Sequence, residues 1–254
     1  MLTLPTLIDF EQSGSGPHLL LIHSLLTERM VFDRVLPALA ERHRVTRLNL
    51  PGFGKTPSAV LNSVADHADW LAKAMDQLKL PANTTVFGNG FGAFVALELA
   101  IRHGGRFGRL VAADTLAAFP EPARVPFRGM AERVSKDGMA GVLDTAIGRM
   151  FPPGFSEKNP TVVEERKEAL AKVDPQCFAR ACLALASMDL TSQLRGIRNP
   201  TLVLCGALDQ TTPPALARAL AQMIPGARYE EIPGSGHCPM LEQPAALIAR
   251  LTSR

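Results

Sequence analysis

Short apolar runs alternate with stretches of helical spacing along most of this chain. Runs such as Thr201–Cys205 (TLVLC) are typical of buried strands, because a strand that is covered on both faces shows no polar alternation. The same pattern predicts further strands at His18–His23, Arg44–Leu50, Thr84–Phe87, Leu110–Ala113 and Tyr229–Ile232. Apolar positions at helical spacing predict helices over Val31–Arg42, Leu61–Leu78 and Ala93–Arg102. Strands that alternate with helices indicate an α/β fold, with a mostly parallel sheet covered by helices on both faces.

One segment interrupts this alternation. Residues 120–196 show helical periodicity, contain no good strand pattern and are punctuated by prolines such as Pro126 and Pro152. Predicted sheet strands lie on both sides of the segment. We therefore expect one domain with a core of residues 1–119 and 197–254, and a helical cap formed by residues 120–196.

Composition and charge exclude several classes of protein. The chain has 254 residues, of which 46% are hydrophobic, and this is enough to bury a substantial core. The net charge is +3 with scattered basic residues, so no nucleic-acid site is expected, although a mild positive field favours an anionic small substrate. No apolar run is long enough to cross a membrane, and the first ten residues do not resemble a signal peptide. The four cysteines form no C-x-x-C pair, so we expect free thiols and a cytoplasmic protein. The oligomeric state is left open.

The glycine-rich turn at Gly88–Gly92 fits two functional motifs. Gly88-x-Gly90-x-x-Ala93 follows a predicted strand, opens a helix and is followed by Asp114 at the next strand end, as in a nucleotide-cofactor oxidoreductase. That motif usually opens its own βαβ unit, whereas two strands precede it here. Gly54-Lys55-Thr56 resembles the end of a phosphate-binding loop, but Asn49 stands where that loop requires glycine.

The second motif is the nucleophile elbow, G-x-S-x-G. Both flanking glycines are present in Gly88-Asn89-Gly90-Phe91-Gly92, but Gly90 stands at the serine position. The nucleophile of an elbow has a strained backbone that glycine adopts at little cost. A glycine there would therefore preserve the turn and remove the reacting group.

The partners of such a nucleophile follow in the expected chain order. Asp209 comes after the Thr201–Cys205 strand and His237 after the last strand, so they are the candidate acid and base. The backbone N–H groups of Leu25 and Phe91 are the candidate oxyanion hole, with Ser24 in the same loop. We assign Ser24 to the pocket wall or oxyanion loop rather than to a substitute nucleophile. Asp114 is a structural acid, in reserve as the third member of the triad.

With these residues in place, the chain resembles the α/β-hydrolase superfamily, and within it the 3-oxoadipate enol-lactonase group. The resemblance spans nearly the whole chain and is carried by His23-Ser24-Leu25, Asn49–Gly54, Gly88–Gly92, Ala113-Asp114-Thr115, Arg128-Gly129-Met130, Asp174-Pro175, Cys182–Leu185, Asp189, Pro200–Val203, Gly206-x-x-Asp209, Thr212-Pro213-Pro214, His237 and Leu241–Pro244. It implies serine-dependent hydrolysis of a small ester or lactone, often one that bears a carboxylate, with no cofactor or metal. It also implies that cap residues shape the substrate pocket. Candidate pocket residues are Phe127, Met130, Met139, Met150, Phe151 and Phe155, and Arg128 or Arg149 is the candidate partner of a substrate carboxylate.

Gly90 departs from the pattern of the group and leaves three hypotheses. A deliberate substitution would have inactivated an ester or lactone hydrolase, which is the hypothesis that the intact Asp209 and His237 favour. A natural serine-less protein would use the His237–Asp209 pair as a general base on water or on substrate. A binding protein would keep the pocket without turnover. The nucleotide-cofactor oxidoreductase remains a remote fourth hypothesis.

Overall fold

A computed structural model describes residues 7–253, which contain a seven-stranded sheet flanked by helices. The strands are Phe10–Ser13 (β1), His18–Ile22 (β2), Arg44–Leu48 (β3), Thr85–Asn89 (β4), Arg109–Ala113 (β5), Thr201–Gly206 (β6) and Arg228–Ile232 (β7). Their order across the sheet is β1-β3-β2-β4-β5-β6-β7, and every pairing except that of β1 with β3 is parallel. The predicted α/β class is confirmed.

The strand β1 was missed by the sequence analysis. It pairs antiparallel with β3 at the sheet edge, with Phe10 opposite Leu48. Its sequence, FEQS, is mostly polar and only half-buried, and Phe10 is itself exposed. An edge strand of this kind carries neither an apolar run nor a clean alternation, so the hydrophobic pattern does not reveal it.

The helices are Leu36–Ala40 (α1), Val64–Gln77 (α2), Phe91–His103 (α3), Glu121–Asp137 (α4), Leu143–Met150 (α5), Pro153–Lys158 (α6), Pro160–Ala171 (α7), Pro175–Ser187 (α8), Pro214–Met223 (α9), Pro239–Glu242 (α10) and Pro244–Thr252 (α11). Short 3₁₀ turns occupy Arg29–Phe32, Gly104–Arg106, Met139–Gly141 and Leu194–Gly196.

Two predicted helices differ from the observed ones for local reasons. The single helix predicted over Val31–Arg42 is wrong, because Pro37 cannot donate a hydrogen bond and disfavours helical backbone before it. The segment is divided into a 3₁₀ turn and the five-residue α1, in which Pro37 is the second residue. The helix predicted from Leu61 begins at Val64, because Ser63 and Asp66 form a reciprocal capping box at its N-terminus.

The helices α4 to α8 lie between β5 and β6, in the segment for which a cap is predicted. Among the described residues, no strand occurs between β5 and β6. A single isolated bridge pairs Ala118, which lies before the predicted cap segment, with Asp189 inside it. The long helices α4 and α8 pack against each other. A nearly buried ion pair, from Arg166 on α7 to Glu28 at 3.2 Å, joins α7 to the loop after β2.

The central strands are almost wholly buried, and Leu19–Ile22 of β2 are at most 1% exposed. The four cysteines are free and buried, which agrees with the predicted free thiols. Within residues 7–253, none of the helices has both the length and the apolar character needed to cross a bilayer. Because the parallel strands point the same way, the residues after β2, β4, β6 and β7 meet at one edge of the sheet.

Candidate active site

The centre of the site is the turn between β4 and α3. Gly90 has φ 51° and ψ −117°, a left-handed backbone conformation that is strained for residues with a side chain. Its carbonyl oxygen accepts hydrogen bonds from the amides of Ala93 and Phe94, so the helix begins directly after it. The turn therefore has the strand–turn–helix form of a nucleophile elbow, with no side chain at its tip.

The flanking glycines allow this turn to pack against the rest of the sheet. A Cβ on Gly88 would lie 2.3 Å from the carbonyl oxygen of Gly92, and a Cβ on Gly92 would lie 2.5 Å from the carbonyl oxygen of Ile22. Both contacts are with backbone atoms, which cannot move away as a side chain can. The spacing of these glycines thus reflects helix–strand packing as well as any chemistry.

His237 and Asp209 form a hydrogen-bonded pair beside the elbow. The distance from His237 Nδ1 to Asp209 Oδ2 is 2.8 Å, and both residues are buried. Asp209 accepts a hydrogen bond from Nδ1, so Nε2 is the nitrogen of His237 that is left to exchange a proton at the pocket.

The two charges of this pair stabilise each other. Burial alone would lower the pKa of His237, but the Asp209 carboxylate outweighs it and raises that pKa to about 9. Burial likewise raises the pKa of Asp209, but the nearby imidazole and hydrogen bonds from His237 and Thr212 lower it to about 2. At neutral pH the pair is therefore an imidazolium and a carboxylate.

Thr212 holds the Asp209 carboxylate, a role that the sequence analysis did not assign. Its hydroxyl donates to Asp209 Oδ2 at 2.6 Å, and the amides of Thr211 and Thr212 donate to Oδ1 at 2.8 and 3.1 Å. An Asp followed closely by Thr before prolines is a turn signal in which the acid binds its own backbone. That signal was available in the sequence.

The loop that carries His237 is held by two further groups. Glu242 accepts hydrogen bonds from the amides on either side of the histidine, those of Gly236 and Cys238. Asn89, directly before Gly90, donates to the His237 carbonyl oxygen at 3.1 Å. Both residues were in quoted motifs, but the sequence assigned neither of them a role.

Asp114 lies behind the pair rather than in the pocket. It is fully buried and accepts hydrogen bonds from Asn89 Nδ2 at 2.7 Å and the Gly206 amide at 2.8 Å. Burial, reinforced by the nearby Asp209 charge, raises its pKa well above the usual range. A carboxyl group enclosed in this way does not reach a ribose, and this argues against the nucleotide-cofactor hypothesis.

Asp114, Cys205 and Asp209 bring three potential metal ligands within 4.8 Å of one another. Metal binding requires deprotonated carboxylates and thiolates. Burial raises the pKa of the Cys205 thiol as well as that of Asp114, and Asp209 is already engaged by His237 and Thr212. These residues fit a hydrogen-bonded core better than a metal centre.

The loop after β2 forms the opposite wall of the site. His23 is buried, and burial lowers its pKa to about 4, so its ring is neutral. The Leu50 amide donates to Nε2 at 3.1 Å, which leaves the Nδ1 hydrogen to donate to the Ser24 carbonyl oxygen at 2.8 Å. Thr27 Oγ1 also binds the Ser24 backbone. The loop is thus held rigidly, and within residues 7–253 the amides of Leu25 and Phe91 have no hydrogen-bond partner.

The space above Gly90 is occupied by groups from two other loops. A Cβ on Gly90 would lie 2.3 Å from Ser24 Oγ, 3.0 Å from Ser24 Cβ and 2.8 Å from His237 Nε2. Real Cβ atoms essentially never approach other atoms so closely. The side chains of Ser24 and His237 therefore converge on the position that a nucleophile would take.

A family model for the alpha/beta hydrolase family matches residues 19–251, which is nearly the whole chain and includes all of the site residues. This chain belongs to the alpha/beta hydrolase family. It is similar to 3-oxoadipate enol-lactonase 2 of Acinetobacter baylyi, at 30% identity over 91% of this chain and 85% of the relative. It is also similar to the pimeloyl-[acyl-carrier protein] methyl ester esterase of Aeromonas hydrophila, at 29% identity over 95% of this chain and 96% of that protein.

Solved structures agree with the family assignment. The enol-lactonase from Burkholderia xenovorans LB400 superposes with a TM-score of 0.89 at 27% identity, covering 96% of this chain and 94% of that one. A thermophilic esterase from Thermogutta terrifontis, solved with malate bound, has the same TM-score at 28% identity, covering 99% and 96% of the two chains. The predicted resemblance to the enol-lactonase group is confirmed at the level of the scaffold.

A small pocket opens above the hydrolase elbow. It is walled mainly by apolar side chains, which are Leu25, Leu26, Phe91, Phe94, Phe119, Phe127, Met130 and Leu185. Ser24, Gly90 and His237 border its floor, and Arg149 borders its rim. Such a mixture of apolar walls and a few polar groups is typical of small-molecule sites.

The cap residues proposed from the sequence are divided between this pocket and a second opening. Phe127 and Met130 line the apolar pocket, as does Arg149. Met150 and Phe151 line a neighbouring cleft that reaches His237 from the side of Asp209. Met139 and Phe155 are not among the lining residues of either opening. Arg128 is exposed and pairs with Glu121, so Arg149 is the cation that borders the hydrolase pocket.

Proposed function

We propose that this alpha/beta hydrolase cleaves a small carboxylic ester or lactone, with the His237–Asp209 pair moving the proton and glycine retained at the elbow. The observation that carries the proposal is the packing above Gly90, where Ser24 and His237 already fill the space of a nucleophile's Cβ. A side chain at Gly90 would require the Ser24 hydroxyl and the His237 ring to move from these positions. The names of the similar proteins, enol-lactonases and methyl ester esterases, support the substrate class.

The roles of the residues follow from the chemistry of acyl transfer. His237, once neutral, takes a proton from the attacking hydroxyl through Nε2, and Asp209 stabilises the imidazolium that results. The unpaired amides of Leu25 and Phe91, among residues 7–253, supply the donors for the oxyanion that develops on the carbonyl. The reaction needs no cofactor or metal beyond these groups.

The position of Arg149 favours a substrate that carries an anionic group. Its guanidinium is half-buried at the pocket rim, 5.8 Å from the centre of the Phe127 ring. Burial lowers its pKa, and among the described residues no carboxylate pairs with it. A half-buried cation without a carboxylate partner is stabilised when an anion binds. We therefore extend the proposal to esters or lactones with a carboxylate several bonds from the reacting carbonyl.

The test compares the wild-type protein with His237→Gln on a panel of p-nitrophenyl esters and lactones, with and without a free carboxylate. The wild-type chain should turn over at least one of these compounds, and His237→Gln should lose that activity. Arg149→Met should raise KM for the carboxylate-bearing compounds and leave the neutral ones unchanged. Absence of turnover on every ester and lactone would refute the proposed function. A compound that raises the melting temperature without being consumed would favour a binding protein instead.

Gly90→Ser tests whether glycine was put in place of a serine. Because Gly90 has a positive φ of 51° and the new Cβ would displace Ser24 and His237, we expect Gly90→Ser to lower stability by about 1–3 kcal/mol and to raise kcat/KM less than about 10-fold. A deliberate substitution would give the opposite pattern, with an inactive starting protein and strong activity in Gly90→Ser. Gly129→Ser is the matched control, since a Cβ on Gly129 meets nothing within 4 Å.

A further inference from the structure

The reacting oxygen is the part of the proposed reaction that the elbow does not supply. We infer that the hydroxyl of Ser24 is the nucleophile of this enzyme, taking the place that the elbow residue holds in its relatives. The inference rests on the proposed ester or lactone hydrolysis and identifies the atom that attacks. It reverses the assignment of Ser24 to a pocket wall that the sequence favoured.

The position of the hydroxyl is the first argument. Ser24 Oγ lies 2.3 Å from where a Cβ on Gly90 would stand, and His237 Nε2 lies 2.8 Å from the same point. The hydroxyl and the proton-accepting nitrogen thus flank one point on the pocket floor. The three atoms nearest to that point are Ser24 Oγ, His237 Nε2 and Ser24 Cβ.

The lack of any structural use for this hydroxyl is the second argument. Ser24 is only 3% exposed and borders the pocket, yet none of the residues in the described range forms a hydrogen bond with its Oγ. The oxygen is not one of the buried polar atoms that lack a partner, so it faces the open pocket, where a substrate can reach it. The Ser24 backbone, by contrast, is held by His23 and Thr27, which keeps the hydroxyl at the pocket floor.

The oxyanion donors give the third argument. In a nucleophile elbow, one donor is the amide of the residue that follows the nucleophile. Leu25 follows Ser24 in the same way that Phe91 follows Gly90. An acyl group on Ser24 would therefore still have a free amide next in the chain, with a second from the elbow.

The reaction proceeds in two balanced steps. Ser24 Oγ forms a bond to the acyl carbon while its proton passes to His237 Nε2, and the carbonyl π electrons move to the oxygen. When the carbonyl re-forms, the C–O bond of the ester breaks and the leaving oxygen takes the proton from His237, giving an alcohol and acyl-Ser24. Water then loses a proton to His237, attacks the acyl carbon and releases the acid, and the proton returns to Ser24 Oγ. Catalytic hydrogen bonds are often long in a free enzyme, so the hydroxyl–imidazole bond is expected to close when substrate binds.

The test is covalent labelling at Ser24 by a fluorophosphonate, located by peptide mass spectrometry, run beside the ester assay. The wild-type chain should be labelled at Ser24, and labelling should disappear in Ser24→Ala and in His237→Gln. Ser24→Ala should lower kcat/KM at least about 100-fold. Removal of a triad nucleophile lowers activity by up to about 10⁶-fold, which sets the upper end of the expected loss. Because the hydroxyl has no hydrogen-bond partner in the described range, Ser24→Ala should keep the wild-type melting temperature. Ser135→Ala, whose hydroxyl binds only its own helix, is the matched control.

Each combination of results is informative. Turnover without a Ser24 adduct, or turnover that survives Ser24→Ala, would overturn the inference, leave the proposed function standing and make water the nucleophile. A Ser24 adduct without turnover of any ester or lactone would support the nucleophile and refute the proposed function. Neither turnover nor an adduct would refute both.

Discussion

Replacing Asp209 with asparagine removes the charge that raises the pKa of His237 while it keeps the shape of the side chain. In the wild-type protein, burial opposes the charged imidazole, but the Asp209 carboxylate at 2.8 Å holds the pKa at about 9. Without that carboxylate, burial is opposed only by the weaker influences of Asp114 and Glu242, so the pKa of His237 should fall below 7. His237 of Asp209→Asn should therefore be mostly neutral above pH 7.

The magnitude follows from the fraction of neutral imidazole, the form that accepts a proton. With a pKa of about 9, only about 1% of His237 is neutral at pH 7 and about half at pH 9. The kcat/KM of the wild-type enzyme should thus rise about 50-fold between these pH values. Asp209→Asn should be flat over the same interval. It should also be slower at pH 9 by up to about 10⁴-fold, because the carboxylate no longer sets the tautomer of the ring or stabilises the imidazolium.

The assay is kcat/KM on the best ester substrate from pH 6 to pH 10, with Glu41→Gln as the charge control. Glu41 is exposed and far along the chain from the site, so its variant should follow the wild-type profile. A wild-type profile that is flat from pH 7 to pH 9, or an Asp209→Asn profile that still rises near pH 9, would show that this electrostatic reasoning is wrong.

Thermal denaturation provides a readout of the same pair that does not depend on activity. Because the pKa of His237 is raised on folding, its contribution to stability is complete below pH 6.5 and is lost as the pH rises through about 9. The contribution of Asp209, whose pKa is lowered to about 2, is present above pH 3.8 and is lost as the pH falls through about 2. The difference in stability between the wild type and Asp209→Asn should therefore be largest near pH 5 and shrink above pH 9.

Two further predictions concern packing, and both are measured by chemical denaturation. Gly92→Ala should lower the free energy of unfolding by about 1–3 kcal/mol, because its Cβ would lie 2.5 Å from the Ile22 carbonyl oxygen. Gly129→Ala lies in an open part of α4 and should leave the free energy of unfolding unchanged or raise it by up to about 1 kcal/mol. Equal effects of the two alanines would contradict the role assigned to the elbow glycines. Arg166→Met should lower the free energy of unfolding by about 3–5 kcal/mol, because the nearly buried Glu28 carboxylate loses its cation and keeps only the hydrogen bond from the Met30 amide. Adding Glu28→Gln to Arg166→Met should recover part of the loss. A cost below 1 kcal/mol would mean that this ion pair does not hold α7 to the loop after β2.

The parts of the fold that are predictable from sequence are those with a strong local signal. The buried strands β2 and β6 are continuous apolar runs, so their positions follow from composition and length. The half-exposed edge strand β1 has no such signal, and it forms because β3 offers unpaired backbone groups. Pro37 divides a helical pattern that periodicity alone extends too far.

The candidate site shows the same division between local and long-range information. The elbow, Asp209 and His237 can be identified from the sequence because each lies just after a strand, in a fixed chain order. The groups that hold them are scattered through the chain, and a hydrogen bond such as that from Asn89 to the His237 carbonyl joins residues with no sequence relation. Glu242 is equally visible in the sequence, but only the folded loop shows that its carboxylate holds both amides beside His237.

The sequence by itself determined the family, the scaffold and the absence of a side chain at Gly90, because these depend on residue identity and local spacing. What stands in the space above Gly90 was decided only by the tertiary structure. Ser24 belongs to a loop after β2 and His237 to a loop after β7, and they meet because parallel strands end at the same edge of the sheet. Ser24 Oγ and His237 Nε2 lie 2.3 and 2.8 Å from the position of a Cβ on Gly90. These distances depend on how the loops pack, and they cannot be derived from the spacing of the residues along the chain.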